Sequence, residues 1–427
     1  MKSVDDGIDF VEVSALRLGM YVELDVGWLA HPFPTGSFKL TSSKQVDTIR
    51  GLGLQRVRVN AAKSVPEPSP VSTIVVDTQT LARSEAAQRD AVARRERAEQ
   101  LAAQQRSLVV CERRFGDAIR QYRKTLELIP SQPMAATEQC QAMVEGFVGE
   151  MLAEGESAIR LLSEAAGDKS SMHPVNVAIV SLLLGKAMGL EKSELNDLGM
   201  AAFLHDVGKA QLPDRVRWLE ENFSTAEYKL YQEHVAFSVQ VGKSMELPTG
   251  ALLAIAQHHE LTDGSGFPSR LKGETMTRGA RILALVNRYD NLCNPSRPAA
   301  AMTPHESLSM IFAQQKTRFD AGVLSAFIRM MGVYPPGSVV QLVDERYAMV
   351  VSVNSARPLK PRVLVHEVGV SRHEALILDL EHAPHIGIRR SLKPAALPSA
   401  ASDFLAPRQR VTYFFESVVD SQMGVIA

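Results

Sequence analysis

The spacing of apolar positions divides the 427-residue chain into four stretches of different character. Residues 1–75 alternate. FVEVSALRLGMYVELDV mixes β-branched residues with a Leu-Gly turn, LQRVRVN reads as another short strand, and SKQVDTIRGLG as a short helix stopped by glycine. The PEPSP breaker at 66–70 closes this stretch, which predicts a small N-terminal α+β domain. From 76 to 130 the chain is rich in Ala, Gln, Glu and Arg. Leu101, Leu108, Phe115 and Tyr122 recur every seven residues, with Ile119 and Leu126 beside them. That period predicts a long connector helix. It either pairs two copies as a homodimer over 98–126 or packs on its own domain.

Residues 131–332 carry apolar positions at helical spacing in VNVAIVSLLLGKAMGL, NDLGMAAFLHDVGKA, EYKLYQEHVAFSVQVGKSM, TGALLAIAQHHE and MTRGARILALVNRYDNL. An all-α core is expected there. In residues 333–427 the runs VVQLV, YAMVVSV, RVLVHEV and ALILDL return to strand character, and YFFESVV reads as a strand or a docking segment. The predicted architecture is therefore multidomain and mainly α. A helical core is flanked by a small N-terminal α+β domain, a long connector helix and a small β-rich C-terminal domain.

Composition narrows the class. The chain is 45% hydrophobic and 22% charged, enough to bury a core, and its formal charge of -1 argues against a general nucleic-acid coat. Three cysteines without a CxxC pair fit a reducing compartment. The N-terminal MKSVDDGIDF places acids where a signal peptide has its apolar stretch, and no run of about 18 apolar residues occurs, so no membrane span and a cytoplasmic location are expected.

The chemistry concentrates in the helical core. In FLHDVGKAQLPD, His205 and Asp206 are adjacent and Lys209 follows four residues after His205; on a continuous helix His205 and Lys209 would share a face. Imidazole and carboxylate suit a divalent transition metal, and a lysine beside them suits an anion such as phosphate. QHHELTDGSGFP ends an apolar helix in His258 and His259, followed by Glu260, Asp263 and a turn on Gly264 and Gly266. His173 and His234 lie on two further helical segments. Any one of these histidines alone reads best as a satisfied core residue. Five of eleven at helical positions within about 90 residues do not. The stretch 255–298 also holds six basic residues against four acidic ones, most of them expected to be a solvated surface.

The order His173, His205-Asp206 with Lys209, His234, His258-His259 resembles the HD superfamily, and HHELTDGSGFP resembles the HHExxDGxGYP signature of its HD-GYP branch, with Phe267 in the tyrosine position. The N-terminal region looks like the small domain of unknown function that precedes some HD-GYP cores. The resemblance implies cyclic di-GMP hydrolysis to pGpG or GMP in bacterial signalling. It implies two divalent metals (iron, manganese, nickel or zinc) on His173, His205, Asp206, His234, His258 and His259. Asp206 would bridge them, and Asp206 and Lys209 would be the catalytic residues. Substrate contacts would come from Lys209, Asp263, Gly264, Gly266, Phe267, Pro268, Arg270 and Arg297. Signalling partner proteins are a further expectation; from charge and apolar runs, no nucleic-acid partner and no membrane span are expected.

Three positions depart from the pattern. Asn287, in VNRYDNL, stands where the family has a ligating aspartate, and its uncharged amide oxygen is expected as a further, weaker metal ligand. Lys169 stands where some relatives place a glutamate for a third metal. SRPAA keeps Arg297 without a second base. Two alternatives follow: a catalytically weak or inactive module that binds cyclic di-GMP or a partner, and a phosphohydrolase acting on another nucleotide. A third reading makes the chain a scaffold worked by its outer domains.

Overall fold

A computed structural model describes residues 8–27, 30–66, 78–153, 157–163, 169–219, 223–408 and 410–417. The chain divides into two compact units, Met1–Ala87 and Gln88–Ala427. The PEPSP breaker lies almost wholly outside the described residues.

The first unit is an antiparallel sheet of β1 (Ile8–Glu12), β2 (Tyr21–Glu23), β3 (Ser37–Lys39) and β4 (Arg56–Asn60), in the order β1-β4-β2-β3, with helix α1 (Ser43–Arg50). Ser42 opens α1 with a reciprocal cap: its side chain accepts from the Gln45 N–H while the Gln45 side chain accepts from the Ser42 N–H. Val46 and Ile49, three residues apart, then face Val22, Leu40, Val57 and Val59 in one small core. The alternation of RVRVN supplies the buried valines of β4.

Helix α2 (Thr78–Leu128) carries the chain onward, followed by α3 (Pro133–Ala153), β5 (Ser157–Leu161), α4 (Lys169–Ala187), α5 (Lys192–Leu204), α6 (Thr225–Ser244), α7 (Thr249–Gln257), α8 (Arg278–Cys293), α9 (Pro304–Gln314) and α10 (Ala321–Met331). Helices α4 and α5 form the centre. Val175, Ala178, Ile179, Leu182 and Leu184 of α4, and Leu195, Leu198, Ala202 and Phe203 of α5, are fully or almost fully buried. Each large apolar side chain of this kind contributes about 1.5–3 kcal/mol of burial. Gly199 and Gly185 permit the close approach: an added Cβ on Gly199 would strike Val144 of α3, and on Gly185 Leu195 of α5.

The remaining elements are β6 (Val339–Leu342), β7 (Tyr347–Asn354), β8 (Arg362–Val365), β9 (Ile377–Asp379), β10 (Ile388–Leu392), α11 (Ser399–Leu405) and β11 (Tyr413–Ser417). They do not stand apart as a separate C-terminal domain. β5, a short run that the helical reading of 131–332 passes over, pairs with β7 on one side and β11 on the other, in a sheet whose main path is β10-β6-β7-β5-β11. Val340, Leu342, Val353, Phe414 and Phe415 share one hydrophobic core with α2–α5, α8 and α10. The physical reason is that β7 and β11 bury both faces, which a small free-standing sheet could not offer.

The heptad seam is also used within the chain. Phe115 and Tyr122 are 4% and 3% exposed, and with Cys111, Ala118 and Ile119 they belong to this same core; Leu108 and Leu126 pack against its edge. Further up the helix, Arg97, Gln104 and Gln105 hydrogen-bond to the main chain at Glu374, Ile377 and His373. Among the described residues no helix is long and apolar enough to cross a membrane.

Candidate metal centre

Asp206 sits at the meeting point of five histidines. Its Oδ2 is 3.6 Å from His173 Nε2 and 3.4 Å from His205 Nε2, while its Oδ1 is 3.5 Å from His234 Nε2 and 3.8 Å from His258 Nε2. Ligand atoms of His173, His205 and Asp206 lie within 4.8 Å of one another, as do those of Asp206, His234, His258 and His259. One carboxylate thus belongs to two histidine clusters, one at each oxygen.

The local chain geometry aims these rings. Helix α5 ends at Leu204, and His205 is its cap; Asp206 leaves helical geometry at φ -101, ψ 4, and a short 3-10 turn follows over Val207–Gln211. The expected continuous helix through HDVGK is therefore not present. Lys209 reaches the site by a tighter turn and places Nζ 2.6 Å from Asp206 Oδ2. Gly208 makes this turn possible, because a Cβ there would collide with the main chain of His234 and Ser238 on α6. The Gly208 N–H donates to Ser238 Oγ at 2.8 Å, pinning the turn to α6.

Four of the five imidazoles are held from behind through Nδ1. His205 donates to the Ala202 carbonyl at 2.8 Å, His234 to Tyr231 at 2.5 Å and His258 to Ile255 at 2.6 Å, all carbonyls three residues earlier. For His205 and His258 these acceptors are among the last carbonyls of a helix, which otherwise lack a partner. His173 Nδ1 instead faces Asp290 Oδ2 at 2.5 Å. With Nδ1 protonated, the Nε2 of a neutral ring is a lone pair. Two such acceptors face each other at 3.3 Å between His173 and His205, and two at 3.4 Å between His234 and His258. Asp206 Oδ1 and His259 Nε2 are buried without a hydrogen-bond donor. Converging acceptors with no donor between them are repulsive unless a cation sits among them, so this donor set fits divalent metal ions.

Burial supports the neutral state of the rings. It lowers the pKa of His173, brings His234 down to about 4, and holds His258 and His259 well below the ordinary imidazole value. Burial also works against the Asp206 carboxylate, but the Lys209 ammonium beside it outweighs burial and keeps the group well below the usual carboxylate range. Lys209 is raised for the reciprocal reason: burial opposes its charge, and Asp206 and Tyr231 restore it. The ammonium also lies over the rings of Trp218 and Tyr231, at 5.3 and 5.4 Å.

The glycine loop after His259 is built around Glu260, which is fully buried and accepts from the Ser269 and Leu271 N–H groups at 2.6 and 2.8 Å. Gly264 takes a left-handed φ of 78°, and Gly266 passes so close to the main chain of His259 and Leu261 that no Cβ fits. Phe267, before Pro268, stacks on the His259 ring at 4.5 Å. Asp263 faces solvent and turns its carboxylate back onto Ser265 N and Oγ. Arg270, in left-handed backbone at φ 56, and Arg297 are both on the exposed surface. Asn287 is buried on α8, where its Oδ1 accepts from Asn291 Nδ2 at 2.7 Å. The side chain of Lys169 lies outside the described residues.

The six histidine and aspartate positions singled out in the sequence converge in the fold, whereas Asn287, the seventh expected ligand, has its amide oxygen turned onto Asn291; Asp290, Gly208 and Glu260 had been given no role. The glycine of HDVGK was the available signal for the tight turn. Asp290 was visible three residues after Asn287, and only the fold reveals that it faces His173.

Residues 156–323 match the HD domain family and residues 10–140 match a domain of unknown function, DUF3391. The chain is 27% identical over 369 residues to the cyclic di-GMP phosphodiesterase PA4108 of Pseudomonas aeruginosa, covering 83% of this chain and 84% of that one. It is 31% identical to the cyclic di-GMP phosphodiesterase response regulator RpfG of Xanthomonas campestris, over 35% of this chain and 40% of that one. It is 30% identical to the 3'3'-cGAMP-specific phosphodiesterase 2 of Vibrio cholerae, over 37% of this chain and 30% of that one. The second and third matches thus span less than half of those relatives' own length. The chain thus carries a match to DUF3391 followed by a match to the HD domain, and the converging histidines and Asp206 all fall within the second.

Proposed function

We propose that the chain is a metal-dependent phosphodiesterase that hydrolyses cyclic di-GMP to pGpG or GMP in bacterial second-messenger signalling. The observation that carries this reading is the single carboxylate of Asp206 set between two histidine clusters, with the Lys209 ammonium on one of its oxygens. His173 and His205 would hold one divalent metal, His234, His258 and His259 a second, and Asp206 both. Divalent metals so held would supply Lewis-acid polarisation of a phosphodiester and an acidified water as nucleophile.

The chain's own groups perform the rest. The four anchored Nδ1 protons fix ring orientation, so no reorganisation is needed when the site is loaded. Lys209 offers a buried positive charge next to the metal-facing edge of Asp206. There it is placed to offset charge on a phosphate oxygen and to give a proton to the departing oxygen. The Glu260-braced loop sets Gly266 and Phe267 against His259, and with Gly264 and Pro268 these residues would form a wall for a flat nucleobase. Arg270 and Arg297 would meet outer phosphates.

A second reading has a specific motive. The similarity to a 3'3'-cGAMP-specific relative, together with Asn287 in place of an acidic ligand, favours another cyclic dinucleotide or slow turnover. Purified protein with manganese or iron(II) would be given cyclic di-GMP and 3'3'-cGAMP in parallel, and the products resolved by chromatography. Linear pGpG or GMP formed at least ~10-fold faster than the cGAMP product is the expected result, a discrimination of about 1.4 kcal/mol. Preference for cGAMP would overturn the substrate assignment, and tight binding of cyclic di-GMP without product would favour a binding module.

A further inference from the structure

The C-terminal strand, in which the sequence displays no catalytic pattern, touches the candidate metal centre through two asparagines. The Val411 N–H donates to Asn294 Oδ1 at 2.9 Å, and the Tyr413 N–H donates to Asn176 Oδ1 at 2.8 Å. A main-chain N–H can only donate, so these two contacts decide which way both amides point. The Nδ2 of each is thereby turned toward Asp290. Asn294 Nδ2 donates to Asp290 Oδ1 at 2.9 Å and also to the Val411 carbonyl at 2.8 Å, and Asn176 Nδ2 donates to the same Asp290 oxygen. With Oδ1 held twice, the free edge of the carboxylate is Oδ2, which meets His173 Nδ1. Asn176, Asn294, Asp290 and His173 are all buried, at 2%, 8%, 2% and 3% exposure, so water does not substitute for any partner in this chain.

We propose that Val411–Tyr413 is part of the metal centre. The strand sets Asn176 and Asn294, which lock Asp290 and so orient His173 as a ligand; all three side chains are positioning residues. This inference rests on the metal-centre reading above and deepens it. It gives the segment after the HD domain a task the helices cannot perform alone, because Val411, Thr412 and Tyr413 come from the sheet edge beside β5. The Leu162 N–H donates to the Thr412 carbonyl at 3.0 Å, and Tyr413 Oη pairs with Tyr289 Oη of α8 at 3.2 Å and donates to the Pro336 carbonyl at 3.1 Å, so the strand is fixed on both sides. Outer partners of this kind are worth about 10–100-fold in metal affinity.

The test uses the full chain and manganese. Affinity is measured by competition with a chromophoric chelator, and cobalt(II) absorption reports ligand geometry. Asn176→Leu removes the amide's hydrogen bonds while keeping the branched shape and the number of heavy atoms. Phe414→Leu, on the same strand but facing Phe115 and Phe147, controls for loss of stability. Asn176→Leu is expected to weaken metal binding ~10–100-fold and change the cobalt spectrum, while Phe414→Leu lowers the melting temperature and leaves both unchanged. If Asn176→Leu does not fold, Asn294→Ser carries the same expectation. Wild-type affinity and spectrum in the asparagine variant would overturn the inference alone, as would an equal loss in Phe414→Leu. A wild-type chain that takes up no divalent metal would overturn the metal-centre reading and this inference with it.

Discussion

The two sides of Asp206 are built from the same ligand type but supported differently. On one side His173 is backed by a carboxylate, and that carboxylate is itself held by two amides and the C-terminal strand. On the other side His234 and His258 are backed by main-chain carbonyls of their own helices, and His259 by stacking on Phe267. A carbonyl fixes a ring's direction and adds little charge. A carboxylate also raises the ring's basicity and electron donation. The difference teaches that four of the five rings are set by local chain geometry, whereas His173 depends on contacts between residues more than 100 positions apart in sequence.

The largest effect should come from removing what the two sides share. Asp206→Ala should empty both clusters, so that metal content by mass spectrometry falls from about two equivalents to near zero and hydrolysis falls by ~10³-fold or more. Retention of two equivalents would sink the bridging role. Lys209→Met should separate chemistry from ligation: metal content stays at the wild-type level while kcat drops ~10²–10³-fold. A parallel loss of metal would make Lys209 structural.

The comparison itself is sharpened by single-side variants. His173→Ala and His259→Ala should each cost one equivalent of metal and leave the other, and a joint loss in either would mean the clusters are one site. Gly208→Ala should destabilise the chain by about 1–3 kcal/mol in urea, because the turn would be forced away from His234 and Ser238.

The smallest effect is a pH dependence of the chelated protein. The rings with depressed pKa bind protons in the unfolded chain before the folded one does. Their contribution is complete above the ordinary imidazole value of 6.5 and is lost as pH falls toward the His234 value of about 4. Urea midpoints should therefore decline across that window, and less steeply in His234→Gln.

Much of the inner site was legible in the sequence because its ligands come as local words. HD and HH dipeptides fall at helix ends, where a ring can cap a carbonyl and still point inward. The wall loop was legible through Gly264, whose left-handed φ of 78° disfavours a side chain, and Gly266, whose close approach excludes one. What could not be read are pairings between distant segments. Nothing in SAIRL announces a strand with both edges paired, and nothing in VTYFFES announces that its main chain turns two asparagines that stand 117 and 237 positions away. The seven-residue seam of α2 was visible as a period. A period does not say whose core it fills, and here Phe115 and Tyr122 fill the chain's own.

The central claim is that metals held at Asp206 carry out hydrolysis of cyclic di-GMP. The most direct measurement strips the purified chain with chelator, assays it with cyclic di-GMP, and repeats the assay after manganese or iron(II) is restored. The account predicts no product from the stripped chain and pGpG or GMP once about two equivalents are bound. Full activity without metal, or no product with both sides loaded, would contradict it.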